Sequence, residues 1–213
     1  MTTRLVFAML SMCLAAMAGV VDIDSMVSGC SVCSGVANVT PGTFLGDIYS
    51  PVQLTLGPGT YTITNAATTG YYSAWNFEGY PTSTNWVWSF VMAADNGTGT
   101  AGTVILDDYI GGTTGVYATQ ALAAGATGIL TYDDLTVLSG TSTAGFTDMF
   151  TLSSTTTLDF IVDDYGLYDN GGGVALQITP ATTGTPEPAS VGLTLAGLAG
   201  LAVARRRARR RAA

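Results

Sequence analysis

Three aspartates and an asparagine fall within one short run of the chain, Ile161-Val162-Asp163-Asp164-Tyr165-Gly166-Leu167-Tyr168-Asp169-Asn170-Gly171-Gly172. Carboxylates and amides offer hard oxygen atoms, and Ca²⁺ collects several such oxygens together with main-chain carbonyls. Asp163, Asp169 and Asn170, with a carbonyl near Gly166, could supply most of a Ca²⁺ shell. The same residue types also close a hairpin by bonding their own backbone. The residues alone leave both readings open.

A second group is aromatic. Trp75, Trp86 and Trp88 lie in two strand-like runs with Tyr71, Tyr72 and Tyr80 nearby, and Trp86 and Trp88 share one strand face. Aromatic faces stack on sugars, so the three tryptophans are candidate glycan-stacking residues; residues of this size also build cores. The third group is Cys30-Ser31-Val32-Cys33. Zinc needs about four ligands, and with no histidine in the chain this pair cannot complete a structural site. In an exported chain Cys30 and Cys33 read as a small local disulfide.

Catalysis is closed off mainly by missing groups. Between Gly19 and Thr185 there is no Lys, Arg or His, against fourteen Asp and Glu, a formal charge of about −14. No base is present to activate a serine or cysteine, no amine to form a Schiff base, and no cation to clamp a phosphoryl group. Carboxylate pairs for glycoside hydrolysis remain conceivable, but Glu78 is the only Glu in this stretch. The chain therefore reads as a non-enzyme. The same charge excludes nucleic acid as a partner, because nothing here could replace phosphate counterions. Mutually repelling carboxylates in a secreted domain are most simply relieved by a divalent cation.

These residues must be positioned by strands. Val52–Leu56 alternates with period two, and Gly57-Pro58-Gly59 turns it into Thr60–Thr64. Further strand-like runs are 71–77, 86–92, 103–106, 128–132, 148–152, 157–162 and 174–179, punctuated by Gly, Asn-Gly or Asp-Asn. Only 117–124 reads as a helix, stopped by Gly125. Asp107-Asp108, Asp133-Asp134 and Asp163-Asp164 read as three strand ends entering acidic turns. The fold class is all-β, an antiparallel β-sandwich or jelly roll over 43–179, with 19–42 a flexible N-terminal segment and 180–190 a linker.

The two ends carry different information. Arg4, the apolar run Leu5–Leu14 and Ala16-Met17-Ala18 make residues 1–18 a signal peptide. At the other end, Pro186-Glu187-Pro188 precedes an uncharged run, 191–204, and an Arg-rich tail, 205–213. The prolines hold an extended segment that an enzyme can grip. The apolar run is a short transmembrane helix, and the arginines keep its end in the cytoplasm. Ala189–Ala204 spans roughly 24 Å as a helix against about 30 Å of hydrocarbon, which suits a temporary anchor.

This order of motif, helix and basic cluster resembles the PEP-CTERM sorting signal of Gram-negative bacteria. The resemblance implies that an exosortase recognises Pro186, Glu187 and Pro188, cuts near them and passes the chain to the cell surface or extracellular matrix. The acidic turn, in its own right, resembles the calcium loop of small bacterial galactose lectins and related β-sandwich modules. That likeness makes Asp163 the first ligand and Asp169 and Asn170 the following pair. The function expected is therefore a non-catalytic structural or adhesive surface protein. The alternative is a calcium-dependent carbohydrate-binding module, with exopolysaccharide or other glycans as partner.

Overall fold

Alternation fixes most strands, and it can be followed residue by residue in the computed structural model. The structure describes residues 19–31, 39, 41–82, 84–110, 116–131 and 136–181; in 107–110, 127–131 and 136–142 it describes the backbone alone. The expected signal peptide 1–18, Cys33, the Pro186-Glu187-Pro188 motif, the apolar run 191–204 and the tail 205–213 lie outside these residues. Among the described residues no helix is long and apolar enough to cross a membrane.

The described residues begin with β1 (Gly19–Asp24), β2 (Gly29–Cys30), β3 (Phe44–Leu45), β4 (Ile48–Tyr49) and β5 (Val52–Leu56). Then follow β6 (Gly59–Asn65), β7 (Ser73–Asn76), β8 (Trp86–Asp95) and β9 (Gly102–Ile110). A short helix, α1 (Gln120–Ala124), leads into β10 (Thr127–Thr131), β11 (Thr136–Ser142), β12 (Thr147–Leu152), β13 (Thr156–Ile161) and β14 (Gly171–Pro180). All-β with antiparallel pairing, as the sequence indicates, is the observed class.

The first sheet is organised by β14. One edge of β14 pairs with β1, from Gly19 opposite Ile178 to Asp24 opposite Gly173. Its other edge pairs first with β7 and then with β6, and β6 pairs onward with β12. The second sheet runs β5-β13-β8-β9-β10-β11, with β3 also on β9. Strand β8 joins the two, because Trp86 and Val87 pair with β7 while Trp88–Asp95 pair with β9. Side chains from both sheets form one core: Val21, Ile63, Trp75, Phe150 and Leu176 from the first meet Trp88, Phe90, Leu158 and Phe160 from the second. The architecture is sandwich-like in that sense.

Residues 19–24, read from the sequence as part of a flexible end, are instead an ordered strand. Val21 and Ile23 alternate into the core while Val20 and Asp22 face out, and the partner strand lies at the far end of the chain. Asp107 and Asp108 also differ from expectation. They do not end a strand but lie within β9, opposite Val91 and Phe90.

Helix α1 has only five residues, too short to stand alone. Thr119 caps it by accepting the Leu122 N–H at 3.2 Å, and Gly125 ends it, as the sequence indicates. Its use is positional. The Gln120 amide donates to the carbonyls of Gly70, Tyr71 and Ala74, at 3.0 Å each, and so fixes the turn before β7.

Candidate functional site

The acidic turn links the end of β13 to the start of β14 and contains a 3-10 turn, Leu167–Asp169. Its local shape follows from Asp164. One carboxylate oxygen, Oδ1, accepts the N–H groups of Tyr165 and Gly166, at 2.7 and 3.2 Å. The Asp164 carbonyl accepts the Cys30 N–H at 3.0 Å, and the Val162 N–H donates to the Ser28 carbonyl at 3.1 Å. Close approach requires glycine opposite: a side chain on Gly29 would meet the Asp164 carbonyl at 2.3 Å. On the other flank, Asn170 Nδ2 donates to the Ser25 carbonyl at 2.9 Å, and Ser25 Oγ donates to the Gly172 carbonyl at 2.9 Å. The turn is thus clamped between residues 25–30 and β14.

Asp163, Asp164 and Asn170 are nearly fully buried, 1, 4 and 1 % exposed. Asp164 Oδ2 and Asn170 Oδ1 are enclosed and have no hydrogen-bond partner. Burying an unsatisfied oxygen is costly, and more so a charged one. A Cβ built on Gly166 would lie 3.6 Å from Asp169 Oδ1 and 4.0 Å from each oxygen of Asp164, so these two carboxylates converge on Gly166. They line one cavity of about 290 Å³ with Phe77, Glu78, Tyr165 and Tyr168. Among the described residues, no three His, Cys, Asp or Glu groups are placed to hold a metal ion together. A cation here would therefore draw on amide and main-chain oxygens as well as carboxylates.

The structure brings the sequence-predicted Asp169 together with Asp164, which sequence reasoning passed over in favour of its neighbour Asp163. Both hairpin chemistry and ligand chemistry are visible in this one turn. Asp164 and Asn170 each spend one polar atom on the backbone and keep an oxygen enclosed without a partner.

Two of the three tryptophans are closed to sugar stacking. Trp75 and Trp88 are 0 % exposed. The Trp75 indole N–H donates to Ser89 O and Oγ, both at 3.2 Å, and Trp88 packs against Phe90 and Phe146 with ring centroids 5.6 and 4.7 Å apart. Trp86 is half-buried, its ring near-perpendicular to that of Tyr80 with centroids 6.0 Å apart, and lies close over Gly172. The physical reason is that β8 carries apolar cover on both faces, its residues 87–93 being buried without interruption. Among the described residues the aromatics that face solvent are Phe44, Tyr49, Tyr71, Tyr80, Tyr165 and Tyr168. Cys30 is fully buried and disulfide-bonded.

Segment 24–28 also reaches Tyr71, whose hydroxyl donates to Asp24 Oδ1 at 3.2 Å. Burial, then the charge of Asp24 and this hydrogen bond, push the Tyr71 hydroxyl up to about 12 from 10.0. A tyrosine held protonated in the fold contributes stability that is whole below the unfolded value of 10.0 and is lost as pH rises through about 12. Melting temperatures measured across that window should therefore fall less steeply in Tyr71→Phe than in the parent chain. Parallel profiles would show that the Tyr71 hydroxyl has no such role.

Comparison with protein-family models, curated proteins and solved structures gives no match for this chain.

Proposed function

We propose that the protein is an exported surface or matrix protein with a structural or adhesive, non-catalytic role, a β-sandwich or jelly-roll body delivered by an exosortase-type sorting system. The distribution of charge carries this reading. Every basic residue lies either at Arg4 or in 205–211, and the body between them has none. Such a body repels anionic membrane surfaces and nucleic acid alike, whereas the terminal arginines would hold an apolar stalk from the cytoplasmic side until it is cut. The non-catalytic part rests on the same absence, since the body lacks every cationic or imidazole group that acid–base and phosphoryl chemistry use. The test is the state of both ends in protein taken from living cells. Loss of the leader and of the tail beyond Pro186–Pro188 supports the reading, and an untrimmed cytosolic chain overturns it.

A second reading, calcium-dependent carbohydrate binding, is favoured by one observation. The enclosed oxygens Asp164 Oδ2 and Asn170 Oδ1 belong to a turn whose tyrosines, Tyr165 and Tyr168, are 65 and 89 % exposed. A cation held by the turn would relieve the enclosed oxygens, and the tyrosines would offer rings to a sugar.

A further inference from the structure

The outer face of the first sheet carries a groove of about 520 Å³ that no tryptophan enters. Its floor is laid by strand register. Val20 of β1 stands opposite Gln177 of β14, Gln177 opposite Thr64 of β6, and Asp22 opposite Ala175. Ala175, Ala66 and Ala67 keep this floor low. The wall is made by Tyr71 and Tyr72, whose rings meet edge to face with centroids 5.1 Å apart.

This wall is held in place before any ligand arrives. Tyr71 is tied by its hydroxyl to Asp24, and its carbonyl accepts from Gln120. The Tyr72 ring lies so close over Gly173 that a Cβ there would come within 2.6 Å of Cδ1. Preorganised rings lose little entropy on binding. The polar groups are equally specific. The Asp22 side chain is exposed and makes no hydrogen bond with the described residues, so its carboxylate is available as an acceptor. The Gln177 amide N–H donates to the Gly19 carbonyl at 3.0 Å, which leaves its amide oxygen as a second acceptor.

The volume falls within the range of small-ligand sites. Aromatic faces, a small-residue floor and hydroxyl-accepting oxygens suit a pyranose ring, with its C–H face on tyrosine and its hydroxyls on Asp22 and Gln177. Because the body has no cation, an acidic sugar would find only repulsion. We propose that this groove binds a neutral saccharide, a short stretch of uncharged polysaccharide.

The proposal stands apart from the acidic turn, since nothing in the groove calls for a metal. The experiment applies the full-length chain to neutral oligosaccharides of glucan, galactan, mannan and xylan, and to sulfated and uronic-acid oligosaccharides, in calcium and in EDTA. At least one neutral series binds, equally in both buffers. Tyr71→Ala and Asp22→Ala each weaken that binding about tenfold or more, the loss expected on removing a stacking ring or a charged acceptor. Thr151→Ala, on the edge strand β12, leaves it unchanged. Should Tyr71→Ala fail to fold, Asp22→Ala decides, because the Asp22 side chain is exposed and bonds none of the described residues. The proposal is overturned if only charged glycans bind, if Asp22→Ala binds as the parent does, or if no neutral series is retained at millimolar concentration. Binding abolished by EDTA overturns it too and assigns the sugar to the acidic turn.

Discussion

Gly172→Ala lowers the melting temperature by roughly 4–20 °C, one of the two largest effects expected of any change considered. Two penalties act together at this position. Gly172 has φ +85°, a left-handed conformation that costs an alanine about 1–2 kcal/mol. A Cβ there would also stand 2.4 Å from the Ala74 carbonyl oxygen and 3.2 Å from Trp75 Cα, so β7 and β14 would have to part. Overpacking of that kind costs about 1–3 kcal/mol. Together they reach about 2–5 kcal/mol, at about 2–4 °C per kcal/mol for a chain of this size. Gly42→Ala separates the two causes. Gly42 has φ +88° but nothing within 4 Å, so only the conformational penalty applies and the loss should be the smaller one. Equal losses at both positions, measured by thermal melting, would remove the packing argument for the start of β14.

Calcium should raise the melting temperature by a comparable amount. At about a hundred times its dissociation constant, a ligand bound only by the folded state adds about 2.7 kcal/mol, or roughly 5–11 °C here. The source would be relief of the enclosed Asp164 Oδ2 and Asn170 Oδ1, next to the Asp164 and Asp169 carboxylates that converge on Gly166. Asp164→Asn is the informative variant. Its amide oxygen can still accept from Tyr165 and Gly166, which preserves the turn, while the charge that attracts the cation is gone. The shift should vanish in Asp164→Asn and persist in Thr151→Ala. Superimposable melting curves in calcium and in EDTA would leave the turn a hairpin and nothing more.

Much of the strand pattern was legible because it is local. Val52–Leu56 and its turn into β6 need only alternation and Gly-Pro-Gly, and α1 needs only a cap and a stopping glycine. What escaped was decided by partners distant in the chain. The alternation of Val21 and Ile23 was present in the sequence, yet it acquires meaning only from β14, to which Val21 is paired at Leu176. Likewise, the near-continuous apolar run of β8, broken only by Ser89 between Val87 and Ala94, signals cover on both faces, which removes Trp88 from solvent. The groove has no local signature, since Asp22, Thr64 and Gln177 meet only through the register of three strands. Within the acidic turn, adjacent Asp163 and Asp164 are equivalent by composition. Only the fold shows that Asp164 shares Gly166 with Asp169.

The proposed sorting rests on the ends of the chain, and intact-mass spectrometry of the protein recovered from its own cells examines both ends at once. The expected species begins near Gly19, stops near Pro186–Pro188 and comes from the outer surface or the surrounding matrix. A mass matching all 213 residues, found in the cytosol, would contradict export and sorting together.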